Sequence, residues 1–158
     1  MSTLRSLCHQ QDGQALVEFA LVLPLLAILL FGMLDFGKAY NYWNDATHLS
    51  AEAARYAAVN SAPNPGSAVS LQAQIQGQAD TGELRNGATA SVPSAATVCI
   101  DFPNGTSNPG DPVRVRMTFT YAWVPLIGKK LSSLSTTISS SSVMRLEAPP
   151  TTYSAGCA

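Results

Sequence analysis

Twenty consecutive residues, Ala15 to Leu34, carry a single charged side chain, Glu18. As a helix they would reach roughly 30 Å, about the thickness of the hydrocarbon core of a bilayer. The window that opens them, Gly13-Gln14-Ala15-Leu16-Val17-Glu18-Phe19, joins a candidate processing site, a solitary acid and the start of a membrane-length run. An ordinary secretory signal places its small-residue cleavage site beyond the apolar stretch. Here that signal lies before it. An ionised carboxylate at the centre of a membrane helix costs on the order of 2.5 to 3.5 kcal/mol, so an acid in such a segment is a functional candidate. The alternative is that Glu18 sits at headgroup level near a helix start, where the helix dipole favours negative charge. Both readings stand on the residues alone.

Glycine, four residues, then glutamate and an aromatic, followed from Leu21 by LVLPLLAILLFGMLDFG, resembles the amino terminus of TadE-like proteins. These are the minor pilins or pseudopilins of the bacterial Flp (tight adherence) type IVb pilus system. The resemblance runs from Gln11 to Val59 and returns in SSSSVMRLE, Ser139 to Glu147; between those stretches it is one of architecture. Carried over position by position, it implies cleavage by a prepilin peptidase after Gly13. Gln14 then becomes the amino terminus, with Glu18 and Phe19 just inside the mature helix as assembly residues. It also implies that Glu18 pairs with the Gln14 amine of a neighbouring subunit, the partner a carboxylate needs in an apolar bundle. The leader departs from the family pattern in having one basic residue, Arg5, opposed by Asp12.

With 158 residues, the chain can hold one small domain beyond the apolar segment. A net charge of −1 gives no electrostatic footprint for nucleic acid. Away from the amino-terminal run the chain is rich in Ser, Thr, Gly, Ala and Pro, a composition associated with extracytoplasmic β-rich domains. Of three cysteines, Cys8 would leave with the leader implied by the resemblance, and Cys99 and Cys157 would remain. An even pair in an oxidising compartment reads as a candidate disulfide. The competing reading is two free thiols, one buried and one on a frayed tail.

Asp35 to Asn60 contains no proline, and Ala46, Leu49, Ala53, Tyr56 and Ala57 recur at helical spacing. Asp45, His48, Glu52 and Arg55 lie mostly off that stripe. The pattern predicts one helix from Gln14 to Asn60, about 70 Å long, with Pro24 and Gly32 as points of bending and Pro63, Pro65 and Gly66 as the stop. A short helix is expected at Ala68 to Ala79, with Val69, Leu71 and Ile75 on its apolar face and Asp80-Thr81-Gly82 as its end. From Ala88 the period becomes two. Val98, Ile100 and Phe102 alternate, and after the turn-rich Pro103 to Gly110 so do Val113, Val115, Met117, Phe119 and Tyr121, with Arg114, Arg116, Thr118 and Thr120 on the wet face. These predict two antiparallel strands, with Cys99 pointing away from the apolar side. A last strand is expected within Ser135 to Leu146, where the parity shift between Ile138 and Val143 suggests a bulge or an end of pairing. Pro149-Pro150 ends regular structure.

The expected fold is α+β and pilin-like: a leader over 1–13, a long helix over 14–60 spanning a membrane at about 15–34, an α+β domain over 61–147 on a small antiparallel sheet, and a tail over 148–158. Enzyme chemistry finds no motif. His9 and His48 are isolated, and no phosphate loop, HExxH or GxSxG is present. Asp101, Asn104, Asn108 and Asp111 gather oxygens on one loop but miss the spacing of an EF-hand, so turn chemistry is the expectation and no metal or cofactor is assigned. Tyr40, Tyr42 and Trp43 follow the apolar run, where aromatic belts sit; helix packing is the competing explanation. The resemblance implies a non-enzymatic structural subunit in pilus assembly and adhesion, held as a single-pass protein in the bacterial cytoplasmic membrane with its carboxyl-terminal domain extracytoplasmic, at the pilus or cell surface. The implied partners are the prepilin peptidase, other pilin or pseudopilin subunits, the Tad assembly platform and the membrane. The alternative is an uncleaved, single-pass, membrane-anchored binding module.

Overall fold

The computed structural model describes residues 4–123 and 134–158, with side chains from Gly13 onward. Helix α1 runs Leu4–Ala58, α2 Leu71–Gly77 and α3 Gly82–Asn86; strands β1 to β4 are Thr97–Asp101, Pro112–Ala122, Ser135–Arg145 and Gly156–Cys157. Two compact units emerge, Met1–Gly37 and Lys38–Ala158, and α1 contributes to both. The α+β expectation holds: a long apolar amino-terminal helix whose second half packs on a four-stranded antiparallel sheet of order β3-β2-β1-β4.

Strand β2 organises the second unit because its side chains alternate without a break. Val113, Val115, Met117, Phe119 and Tyr121 are all buried, while Arg114, Arg116, Thr118 and Thr120 lie on the other face. Against that apolar face α1 lays Ala39, Tyr42, Ala46, Leu49, Ala53 and Ala57, and Leu71, Ile75, Leu84 and Val92 complete the core. Tyr42 packs edge-on to Phe119, ring centroids 6.4 Å apart, and bonds Glu83 through its hydroxyl. Packing therefore accounts for this member of the aromatic trio. Tyr40 and Trp43 stay exposed and touch each other at 5.8 Å.

Helix α1 ends at Ala58, two residues before the expected Asn60 and ahead of the prolines. Asn60 takes a left-handed φ of 51°, its N–H reaches Ala57 O at 3.2 Å, and the Ser61 N–H reaches back to Tyr56 O at 2.9 Å. This is the Schellman pattern, with asparagine in the position glycine usually takes. The same Asn60 holds the tail: its Oδ1 accepts from the backbone N–H groups of Thr151 at 2.9 Å and Thr152 at 3.1 Å. The last helical carbonyls are also satisfied by the tail, Ala58 O by Glu147 N–H at 2.8 Å and Ala57 O by the Tyr153 hydroxyl at 2.7 Å.

Three further expectations are corrected. The second helix begins at Leu71, where Ser70 Oγ accepts the Ala73 N–H at 3.3 Å as its amino-terminal cap, and leaves Val69 exposed. Asp80-Thr81-Gly82 does more than end it. Asp45, expected off the buried stripe, is only 9% exposed and accepts the N–H groups of Asp80 at 3.1 Å and Thr81 at 3.4 Å, which lets a new helix, α3, start at Gly82. Strand β3 carries no bulge, because its register with β2 is unbroken from Pro112↔Arg145 to Ala122↔Ser135. The parity shift is absorbed by exposure: Ile138 faces the core, Val143 is 55% exposed, and the serines between them fit either face.

Residues 149–155 lie outside regular structure, and beyond them the chain returns to the sheet as β4. Cys99 and Cys157 are bonded, with Cα atoms 4.0 Å apart at a sequence separation of 58. They form the close, non-hydrogen-bonded kind of antiparallel pair, since the adjacent Val98 and Ala158 exchange both backbone bonds, at 2.9 and 3.0 Å.

Reducing this bond is expected to cost about 2 to 4 kcal/mol of stability, read as a lower urea midpoint of the second unit. Burial raises the Tyr153 phenol to about 12, against about 10 in an unfolded chain. Its contribution is complete below pH 10 and lost as pH rises toward 12. Urea midpoints measured over that window should fall less steeply for Tyr153→Phe than for the parent.

Candidate functional site

Among the described residues from Gly13 to Leu34 none is buried. The most apolar eighteen-residue window of α1 has mean hydropathy 2.5, and by length and composition this helix can cross a membrane. Phe19, Leu21, Leu25, Leu26 and Met33 are each more than 60% exposed. Apolar side chains project all around the helix, the pattern of a segment whose solvent is lipid or other helices. One amino-terminal helix of this kind suggests single-pass anchoring.

Glu18 stands alone in that surface. The Gln14 side-chain amide donates to its Oε1 at 3.2 Å, because residues four apart on a helix share a face. The structure thus brings Gln14 and Glu18 together within one chain, and Phe19 lies beside them, exposed. The Gln14 amide supplies a local partner that the sequence reading missed, although the Gln-x-x-x-Glu spacing signals it.

Gly13 has no steric reason to be glycine. A methyl group there would meet nothing within 4 Å, and its φ lies in the ordinary helical range, since it is absent from the positive-φ positions. Glycine within a helix costs about 0.8 to 1 kcal/mol against alanine, so the fold gains nothing from this residue. Gly87 is the contrast: its φ is +63° and a Cβ would come within 2.3 Å of Ala95 N. Arg5, Cys8, His9 and Asp12 have side chains outside the described residues.

No group of three or more His, Cys, Asp or Glu among the described residues is placed to hold a metal ion. In the loop considered for calcium, the Asp101 carboxylate is engaged by Arg114, Nε at 3.0 Å from both oxygens and Nη2 at 2.5 Å from Oδ2. That hydrogen bonding, with the opposite charge, raises the guanidinium above its ordinary pKa. Asp111 Oδ2 accepts the Asn108 N–H at 2.9 Å; hydrogen bonds from Thr106 first, then Asn108, hold its carboxyl below the usual range. The first is a cross-strand pair between β1 and β2, and the second is a turn contact. His48 is exposed, beside a surface hollow of about 260 Å³ that it lines with Asn41, Asn44, Asp45, Asp80 and Thr81.

The exposed helix, its lone acid and the alanine-lined continuation lie within one stretch of known type. Residues 13–55 match the family model described as TadE-like protein. The match begins at Gly13 and ends within the face of α1 that packs on the sheet, and it suggests involvement in the Tad pilus system. No curated protein and no solved structure matches the chain. The TadE-like segment therefore covers the membrane-capable helix and its continuation, while the sheet, the disulfide and the tail lie beyond it.

An arginine at the middle of the TadE-like helix, Leu25→Arg, is expected to raise the apparent free energy of membrane insertion by about 2.5 to 3.5 kcal/mol. A glycosylation-based insertion assay on residues 13–58 in a model host protein measures this, and an unchanged insertion fraction would show that the segment does not span.

Proposed function

We propose that the chain is a minor pilin or pseudopilin of the Flp/Tad system, processed by prepilin peptidase after Gly13 and taking part in pilus assembly and adhesion. The observation that carries this reading is the coincidence of the TadE-like match, which begins at Gly13, with a glycine that the helix itself does not require. A peptidase that must bring the scissile backbone into its active site has a use for a residue without a side chain. The folded chain has none.

In this reading the chain is structural and non-enzymatic, anchored once in the cytoplasmic membrane with the second unit extracytoplasmic. After cleavage the Gln14 backbone nitrogen becomes a free amine. The carboxylate of Glu18 from a neighbouring subunit then gains a charged partner, and the exposed side chains of Phe19 to Leu34 gain other helices. The Gln14 amide already bonded to Glu18 keeps that acid satisfied before assembly, which lowers the cost of holding it in lipid. Its partners are the peptidase, other pilin or pseudopilin subunits and the assembly platform.

Co-expression with the cognate prepilin peptidase should shorten the chain to begin at Gln14 by intact mass, and Gly13→Ala should abolish the shortening while leaving helix content unchanged. Full-length chain in the presence of active peptidase would instead identify an anchored module that is never processed. Glu18→Ala should still be cleaved but should lose incorporation into filaments. Normal piliation by that variant would remove Glu18 from the mechanism.

A further inference from the structure

Tyr40 and Trp43 are the exposed members of the aromatic trio, at 57% and 43% of full accessibility. Three residues apart on α1, they share one face of the helix and are separated by about 4.5 Å along its axis. Among the described residues the Tyr40 hydroxyl and the Trp43 indole N–H have no hydrogen-bond partner. Elsewhere the second unit bonds such groups: the Tyr42 hydroxyl to Glu83, Trp123 Nε1 to Thr136 Oγ1 at 2.9 Å, and the Tyr153 hydroxyl to Ala57 O at 2.7 Å. Each ring of the exposed pair therefore offers an apolar body and a free polar tip. That combination suits neither a packed core nor bulk water, but the boundary between lipid and water. Lys38, two residues earlier, is exposed and forms no ion pair among the described residues.

We propose that Tyr40 and Trp43 seat the second unit on the bilayer, with their rings among the lipid headgroups at the carboxyl-terminal end of the apolar run. The inference rests on anchoring of the chain through α1, and it needs neither cleavage at Gly13 nor polymerisation. Position in the chain is the first argument. Tyr40 follows Leu34, the last residue of the apolar run, by six residues, which span at most about 22 Å in any conformation. An anchored chain therefore keeps the pair within reach of one leaflet, whose headgroup layer is roughly 5 to 7 Å deep, and the step from Tyr40 to Trp43 fits inside that layer. Hydrogen-bonding chemistry is the second. The Trp43 indole N–H and the Lys38 ammonium can only donate, and the Tyr40 hydroxyl can donate as well. Lipid phosphate and ester oxygens only accept, and the stem of Lys38 lets its charge reach them. A second copy would bring the same donors and set donor against donor. Seated in this way, the start of the second unit is held at headgroup level instead of swinging on a tether.

The test uses the full chain in phosphatidylcholine liposomes, with a single tryptophan whose fluorescence is quenched by phosphatidylcholine brominated either near the headgroup or near the bilayer middle. Trp123→Phe alone leaves Trp43, and Trp123→Tyr replaces it should the urea midpoint fall. In the background that also carries Trp43→Phe, one tryptophan is introduced at a time by Ile28→Trp, Tyr40→Trp or Thr47→Trp, all at exposed positions. Ile28→Trp reports anchoring and should be quenched most by the deep bromines. Trp43 and Tyr40→Trp should be quenched most by the shallow ones. Shallow quenching should fall roughly threefold from Tyr40→Trp to Thr47→Trp, about 10 Å further along the helix. Quenching at Ile28→Trp without quenching at positions 40 and 43 would overturn the proposal and leave the anchor standing, whereas no quenching at any site would overturn both. Equal shallow quenching at 40, 43 and 47 would overturn it by laying the helix along the surface. A Trp43 emission that is shielded from water but unquenched, and becomes water-exposed as added lipid dilutes the protein, would overturn it in favour of a second copy.

Discussion

Ala46, Ala53 and Ala57 present nothing larger than a methyl group to the sheet, and each is completely buried. Helix–sheet separation is set by the side chains at the contact, so a face made mostly of alanine lets the backbone of α1 approach closely, with Tyr42 and Leu49 as its larger members. The rest of the second unit follows from that approach. Strand β2 must turn its five largest apolar side chains to one side to meet the helix, and Leu71, Ile75 and Leu84 from the short helices close the gap beside it. A larger residue at Ala53 or Ala57 would force the layers apart.

The end of α1 is where the chain's long-range connections concentrate. A helix terminus leaves carbonyls without partners, and here the tail supplies them: Glu147 and Tyr153 donate to Ala58 and Ala57. Asn60 reverses the backbone and binds Thr151 and Thr152. Four residues further on, the tail enters the sheet and is bonded to β1. Hydrogen bonds at one end of this segment and a disulfide at the other hold it without a hydrophobic core of its own, apart from Tyr153, which stacks on Phe102 at 6.5 Å. The bond adds stability chiefly by denying the unfolded chain its freedom, while the hydrogen bonds select where the ordered tail lies.

How much of this could be read from the residues depended on whether the deciding interaction was local. The alternation of β2 and the alanine stripe are periodic, so each named its buried face in advance, and Cys99 fell on the outer face for the same reason. Asp45 and Asn60 were not legible in this way. Asp45 sits at an ordinary helical position, and its burial follows from peptide N–H groups at 80 and 81, thirty-five residues away. Asn60 carries a weak local signal, since asparagine tolerates a left-handed conformation, whereas the nearby prolines carry a stronger signal for a stop. In β3 a change of parity marks a defect only where burial continues along the strand, and serine, indifferent to either face, lets the ladder run on. At the candidate site Gly13, Glu18 and the apolar run were plain from spacing. The Gln14–Glu18 contact is equally legible in the Gln-x-x-x-Glu spacing, although the family resemblance points both residues to partners on another subunit.

Glycine at position 13 and glutamate at position 18 share one property: the folded monomer explains neither. Each is a cost where it stands, the first in helix propensity and the second in desolvation, and the structure offsets only the second, through one amide of Gln14. Residues that violate local preference without an internal gain are where a chain's interactions with something else are recorded. The exposed Tyr40–Trp43 pair is a third such place, since its rings lie outside the core and their polar tips are unpaired among the described residues. All three are compatible with a chain built to be cut, inserted and placed against others, and in each the residue type indicates the kind of contact: bare backbone for an enzyme, a carboxylate for an amine, and amphipathic rings for a layer of lipid headgroups.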